Sequence, residues 1–362
     1  MGSDLFGSLA ESTVAALLIS ATSKELILNG SVGFLFPIAV ICSGIIVCMI
    51  VCYLTDSLYK LKSTNDVGFK LKLILILSTI LMIPAIYGLG LLALPRDITF
   101  RGDSYKTVVS SSYTPNETSR LSSSFGFSQP TLSNEPIKPV TITTTTKKEE
   151  FIVPLVVITT NFKLIVCSLS GLISELVFGY ITDYFTYNSH GPIVCLCDSC
   201  KFGAGINIIN GLALGYMSTF IPILFICASI YVSFTLAGMY GIALCAIGIL
   251  VILPVCLAID AYGPIADNAG GISKMSDFNE NVRIITESLD SAGNTTAAVG
   301  KGFAIGSACL VAIALFGAFI TKTKLGDIDM LNPMIISTMV LGAIIPFVFP
   351  SLAIYSVCEA AA

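Results

Sequence analysis

The chain has 362 residues, 54 % of them hydrophobic and only 12 % charged, and its mean hydropathy is +0.88. That leaves too little polar surface to cover a soluble protein of two or three domains, so the chain is read as membrane-embedded. A net charge of −4, a pI near 5.1 and Lys and Arg scattered among loops offer no basic face to a polyphosphate backbone, which argues against nucleic-acid binding.

An apolar run of roughly 20 residues crosses about 30 Å of hydrocarbon as a helix. The first candidate, Leu5 to Ser23, is short, begins almost at the first residue and is accompanied by Asp4 and Glu11. It lacks the leading Lys or Arg of a cleavable signal peptide, whose apolar core also tolerates no carboxylate, so it reads as a span. Seven further runs follow at Gly33 to Leu54, Leu71 to Leu94, Phe162 to Ile181, Ile206 to Ile230, Phe234 to Ile259, Ala298 to Ile320 and Pro333 to Tyr355. The expected fold is therefore all-α, a polytopic membrane helix bundle of about eight transmembrane helices. Cys42, Cys48, Cys52, Cys167, Cys227, Cys245, Cys256 and Cys309 lie inside these runs and are expected to pack as small hydrophobes.

Counting crossings places Thr55 to Lys70, Thr182 to Gly203 and Asp260 to Ala297 on one face, here termed the site face, together with both chain ends. Lys60, Lys62, Lys70 and Lys72 flank the first of these loops closely, so the site face is expected to be cytoplasmic. On the opposite face Arg96, Arg101, Lys106 and Lys147 are spread over Pro95 to Glu150, a loop too long to weigh in that rule. This segment, rich in Ser, Thr and Pro with a TITTTT run at Thr141 to Thr146, reads as a disordered, low-complexity, non-cytoplasmic insertion in a single transmembrane domain spanning 1–362. Asn116-Glu117-Thr118 within it is a glycosylation sequon, in keeping with a lumenal side.

Carboxylates in spans are costly unless they face a cavity or a partner, which makes each a candidate for function. Asp4 and Glu11 are two helical turns apart and share a face, so together they suit a polar path; Asp4 alone also suits a helix cap. Glu175, beside Ser174, is open to either a local hydrogen bond or transport chemistry. The densest polar cluster is Asp260-Ala-Tyr-Gly-Pro-Ile-Ala-Asp267-Asn268-Ala-Gly270-Gly271, followed by Glu287, Asp290 and Asn294-Thr295-Thr296. Hard oxygen donors without His or Cys suit Mg2+ and a phosphate anion rather than zinc. The adjacent glycines admit close backbone approach, and no Walker A pattern occurs. An acidic, Gly-rich connector is the competing reading. Cys195, Cys197 and Cys200 with His190 have zinc-ligand types at irregular spacing, and read as reduced loop thiols with metal binding as the alternative.

Several stretches resemble the membrane-embedded, ion-pumping inorganic pyrophosphatases. Ser3-Asp-Leu-Phe-Gly-Ser-Leu-Ala-Glu-Ser12 is similar to the family's DLFGSxAES helix, and Gly179-Tyr-Ile-Thr-Asp-Tyr-Phe-Thr186 to its GxxTEYYT segment, with Asp183 for Glu and Phe185 for Tyr. Gly211 to Ser218, Asp260 to Gly271 and Ala292 to Ser307 follow it almost letter for letter. The resemblance runs from end to end outside the Pro95 to Glu150 insertion. It implies a homodimer of sixteen-helix subunits that hydrolyses pyrophosphate at a cytosolic Mg2+ site and moves H+ or Na+ across a vacuolar or other acidic-compartment membrane. The eight spans would be helices six to thirteen, so the chain is expected to be a truncated form, inactive by itself. By the same resemblance, Asp267 and Asn294 hold the Mg2+-pyrophosphate complex, Asp260 belongs to that catalytic motif, and Asp4 and Glu11 match the ion gate. Ala297 and Gly300 match the K+-activated branch, whereas the K+-independent branch has Lys at the former position. Two other readings compete. A secondary transporter would show an inverted repeat, but Asp4 and Glu11 have no counterpart pair in the second half; a catalytically inactive membrane subunit is the other.

Overall fold

The computed structural model describes residues 2–28, 32–61, 63, 66–108, 151–276, 278–323 and 328–361, without the side chains of 101–108 and 151–156. Two units are distinguished: Met1–Ser104 with Leu155–Ile328, and Tyr105–Pro154 with Asp329–Ala362. In hydrocarbon every backbone polar group must be satisfied within its own segment, so the long apolar runs close on themselves as helices.

The first unit begins with α1 (Gly2–Ser20), the short α2 (Lys24–Leu28), α3 (Phe36–Leu58) and α4 (Asp66–Ala93). Strands β1 (Asp97–Val108) and β2 (Phe151–Thr160) pair as a two-stranded sheet. Then come α5 (Asn161–Thr186), α6 (Gly191–Ser199), α7 (Ala204–Leu250), α8 (Leu253–Met275) and α9 (Glu280–Thr323). Proline sits at the first positions of α3, α6 and α8, where its missing N–H has no helical partner to lose. Thr160 caps α5, its hydroxyl accepting from Lys163 N at 3.4 Å.

β1 corrects part of the expectation for the 95–150 insertion. Ile98 and Phe100 are buried, and Phe100 stacks on the buried Tyr240 with ring centroids 4.8 Å apart. Ile98 and Phe100 thus enter the core where a disordered loop was expected. The sequon at Asn116 and the Thr141 to Thr146 run lie outside the described residues.

Ala237 and Gly238 depart from helical geometry within α7, Gly238 at φ +59°, a region open mainly to glycine. The chain doubles back there. Ser170 Oγ on α5 lies 3.3 Å from Ser233 Oγ and 3.4 Å from Cys245 Sγ, yet twelve residues of straight helix would separate that pair by about 18 Å. A side chain on Gly241 would meet the Ser233 carbonyl, so glycine is required where the two limbs meet. The expected spans 206–230 and 234–259 are therefore a hairpin whose second limb continues, across a break at 251–252, into α8. Among the described residues six helices are long and apolar enough to cross a membrane: α3, α4, α5 with its extension to Phe202, α7, α9 and α10 (Pro333–Ala361). α7 holds both limbs of the hairpin. α1 falls outside this set because Ser3, Asp4, Ser8, Glu11 and Ser12 dilute its apolar content.

Polar contacts join the helix ends in two groups. In one, Lys70 pairs with Asp56 at 2.8 Å, Lys72 with Asp183 at 2.8 Å, and Asn188 donates to Ser291 at 3.1 Å. In the other, Asn161 N donates to Arg96 O at 3.2 Å and the Thr159 hydroxyl to Leu236 O at 2.9 Å. There Glu25 on α2 accepts from Ser23 Oγ at 2.9 Å and Thr99 N at 3.4 Å. Hydrogen bonds from its own backbone N–H, Ser23 and Thr99 hold the Glu25 carboxyl below the usual range.

The core lies where α5 presses on the second limb of α7. A Cβ on Gly171 would strike the Cys245 carbonyl, and one on Gly248 the Ser168 carbonyl, so these backbones meet with no side chain between them. Gly248→Leu is expected to destabilise the protein by roughly 1–3 kcal/mol or more through overpacking. Gly215→Ala, with nothing within 4 Å, should leave the thermal midpoint in detergent unchanged.

In the second unit, α10 (Pro333–Ala361) starts with Asn332 accepting from Met334 N at 2.9 Å and Pro333 at its first turn.

Candidate functional site

The acidic, glycine-rich motif does not form the connector that composition allows. It lies on α8, which runs helically through it to Met275, and the Asn294 motif lies on α9. Helicity outlasts apolarity here, so the hydropathy signal ends at Ile259 while the helix continues. Pro264 inside α8 has no N–H to give to the Asp260 carbonyl. Asn268 Nδ2 donates to the Pro264 carbonyl at 2.7 Å.

α8 and α9 cross where glycine meets glycine: a Cβ on Gly293 would lie 3.0 Å from Gly263 Cα. Toward the hairpin's tip, Tyr262 Oη donates to Leu289 O at 2.9 Å, Ser273 and Thr286 share a 3.0 Å hydrogen bond, and Lys274 pairs with Glu287 at 3.5 Å. On the other side of the crossing, the Ala297 methyl would lie 3.6 Å from a Cβ on Gly263. Gly300, one turn further, is buried and borders the same narrow void as Asp260, Cys256 and Thr296.

Asp260 is half-buried against the start of α1; a methyl on Gly2 would lie 3.6 Å from its Oδ2. Asp267 and Asn294 are exposed on α8 and α9, and Asn294 Nδ2 donates to Asp290 Oδ1 at 2.9 Å. The hairpin thus groups Asp260, Ala297 and Gly300, with Asp267 and Asn294 on neighbouring turns. Asp4 and Glu11 sit on an exposed face of α1, opposite the stripe of Leu5, Ser8, Ser12, Ala15 and Ile19 that it buries. Among the described residues no hydrogen bond or ion pair joins either of them to the hairpin.

Among the described residues no three His, Cys, Asp or Glu side chains converge on a metal-sized point. The donors still suit one metal. Mg2+ keeps several waters and takes one or two protein carboxylates plus substrate phosphate oxygens, and the exposed Asp267 carboxylate and Asn294 amide oxygen are donors of that kind. Cys195 and Cys197 are exposed free thiols on α6, a helix where a loop was expected, and Cys200, also exposed and free, directly follows it. His190 rests against the rings of Tyr184 and Tyr187, with centroids 5.7 and 5.1 Å away.

Two cavities open near the same end. One, of about 540 Å³, is lined by Gly68, Tyr187, Asn188, Glu287, Ser291 and Ala292, and so includes the sequence candidate Glu287. The other, of about 110 Å³, lies between α4, α5 and α9 and is bordered by Glu175, Lys72 and Asp183. Lys72 Nζ is 2.8 Å from one Asp183 oxygen and 2.9 Å from the other, and 4.0 Å from the centre of the Tyr187 ring. Sequence reasoning missed this pair because its members are 111 residues apart. A lysine set into the start of an apolar run was the only signal.

The model of the inorganic H+ pyrophosphatase family matches residues 1–362. The chain is 43 % identical over 209 residues to a Clostridium tetani protein whose name describes a K+-stimulated pyrophosphate-energized sodium pump, covering 56 % of this chain and 31 % of that one. It is 39 % identical over 204 residues to a K+-insensitive pyrophosphate-energized proton pump of Methanosarcina mazei, covering 54 % and 30 %. With a K+-stimulated pyrophosphate-energized sodium pump of Thermotoga maritima it shares 40 % over 202 residues, covering 53 % and 28 %. The matched segment spans about a third of the length of these relatives.

Proposed function

Because the chain belongs to the inorganic H+ pyrophosphatase family, we propose that it forms part of a membrane pump that couples pyrophosphate hydrolysis to the movement of H+ or Na+. The observation that carries this reading is the α8–α9 hairpin, which bears the oxygen donors and sets Asp260 beside the first turn of the helix that carries Asp4 and Glu11. Bound Mg2+ would neutralise pyrophosphate and polarise its bridging bond. Asp267 and Asn294 would hold the metal-substrate complex. Asp260, half-buried beside α1, would carry a change of charge at the hairpin to the α1 carboxylates, since charge in a low-dielectric site acts strongly over short distances. The site loops would face the cytosol, the membrane would bound an acidic compartment, and the pump would be a homodimer.

K+ belongs to the same proposal. Ala297 puts a methyl group, and no cation, at the point where α9 meets Gly263. An acidic site that receives an anion needs added positive charge, and K+, weakly hydrated, would supply it. In the pump that contains this hairpin, K+ should stimulate Mg2+-dependent phosphate release, and Ala297→Lys should remove the stimulation while retaining activity. Equal activity without K+ in the unmodified protein would defeat this, and total loss in the Lys variant would favour a packing role for Ala297. Ion uptake into vesicles, driven by pyrophosphate and assayed with H+ and Na+ separately, tests the pump itself. Ion exchange that ignores pyrophosphate would instead favour a secondary transporter, and no ion movement at all an inactive membrane subunit.

A further inference from the structure

Glu175 takes no part in the site described above, yet among the described residues it is the carboxylate that the fold buries most completely. It lies on α5 with 1 % of its surface exposed. Cys256 on α8 donates to Oε1 across 3.9 Å, and Oε2 has no hydrogen-bond partner. Its neighbour Ser174 does not serve it, because that hydroxyl is engaged by the Ser170 carbonyl at 2.8 Å and Ser229 Oγ at 2.7 Å. Among the described residues Oε1 is met by Cys256 and Oε2 by nothing, so the local hydrogen bond to helix backbone that the sequence allowed is not made either.

The carboxyl borders a cavity of about 110 Å³, room for several waters, whose wall also carries Thr79, Tyr180, Thr296 and Phe303. Lys72 and Asp183 border the same cavity, and their side chains are 31 % and 15 % exposed. The cavity thus leads from a buried carboxyl to an ion pair that solvent reaches.

Among the described residues, the charged and titratable groups around Glu175 come from four helices. Lys72 on α4, the cation among the described residues that line the cavity, is held by Asp183. Asp183 and Tyr180 share α5 with Glu175; α8 presents Cys256 and α3 presents Cys48. On α9 the cavity meets Thr296, whose hydroxyl donates to its own helix at Ala292 O and Gly293 O, as Thr79 does to Leu75 O. An unpaired buried carboxylate is unfavourable in such surroundings. A dehydrated metal cation would need a shell of several oxygens, and this largely apolar wall offers too few. A proton needs only one.

We propose that Glu175 is a proton-binding site separate from Asp4 and Glu11, and that it exchanges its proton with the site-face solvent through this cavity, past Lys72 and Asp183. Hydronium in the cavity gives a proton to Oε2 and leaves as water; the return step reverses this, and only O–H bonds form or break. The proposal stands independently of the pump reading.

Infrared spectroscopy of the full chain in lipid nanodiscs at neutral pH tests it. The expected result is a carboxylic-acid C=O band that shifts in D2O and is missing from Glu175→Gln. If that variant does not fold, Glu175→Asp keeps a carboxyl while moving it, and should displace the band. A spectrum in which neither substitution alters that band would overturn the proposal. Lys72→Gln, which removes the ion pair at the mouth, should speed deuteration of the band severalfold. An unchanged rate would overturn the route through the cavity.

Discussion

Asp267→Asn is expected to lower Mg2+-dependent pyrophosphate hydrolysis about a hundred- to a thousandfold in a pump assembly that contains this hairpin, the range seen when one group that stabilises developing charge is removed. The substitution keeps the side chain's size and takes away only its charge. Asp267 is exposed on α8 and no ion pair engages it among the described residues, so that charge is free to meet a metal. Because the side chain is exposed and Asn matches its size, the thermal midpoint should stay within about a degree or two. Lys274→Ala on the same hairpin is the control: its pair with Glu287 is half-exposed at 3.5 Å, and such pairs contribute at most about 1 kcal/mol. Phosphate release measured against Mg2+ concentration separates the cases. An Asp267→Asn variant that keeps most of its activity at every Mg2+ concentration would remove Asp267 from the site.

Glu11→Gln is expected to reduce pyrophosphate-driven ion uptake by about a hundredfold, the lower end of what a positioned proton-transferring side chain contributes, while protein level and folding are retained. The reason lies in how α1 packs. Its buried stripe runs through Leu5, Ser8, Ser12, Ala15 and Ile19, and Glu11 is on the exposed side, so replacing it removes a titratable group without opening the core. Gly7→Ala, with open space around the added methyl, should change neither uptake nor hydrolysis. The readout is uptake per phosphate released. If that ratio in Glu11→Gln equals the unmodified ratio, the gate role of Glu11 is wrong and α1 serves hydrolysis alone.

Much of the architecture is legible in the sequence because a helix in lipid satisfies its own hydrogen bonds. Runs such as Gly33 to Leu54 and Leu71 to Leu94 need no partner to become α3 and α4, and the alternation of faces follows from counting them. The Asp260 to Gly271 and Ala292 to Ser307 motifs likewise named the residues that the α8–α9 hairpin carries. Their secondary structure was harder to read, since a hydropathy window measures apolarity, and α8 and α9 stay helical well beyond their apolar parts. The bend at Ala237 and Gly238 had the opposite difficulty: the chain holds 30 glycines, and only the closure of Ser233 and Cys245 onto Ser170 shows which one turns the helix.

What the tertiary structure alone decided is the surroundings of each charge. Glu11 and Glu175 look alike as isolated carboxylates in apolar runs, yet α1 leaves one exposed while α5, α8 and α9 enclose the other. Lys72 reads as a flanking charge until the packing of α4 on α5 sets it 2.8 Å from Asp183. A strand over Asp97–Val108 emerged from a segment expected to be disordered because burying Phe100 against Tyr240 joins residues 140 positions apart. Apolar periodicity and motif spacing are local properties of a chain, so a sequence displays them. The burial and pairing of a charge depend on which distant segments close around it, and that is settled only when the helices pack.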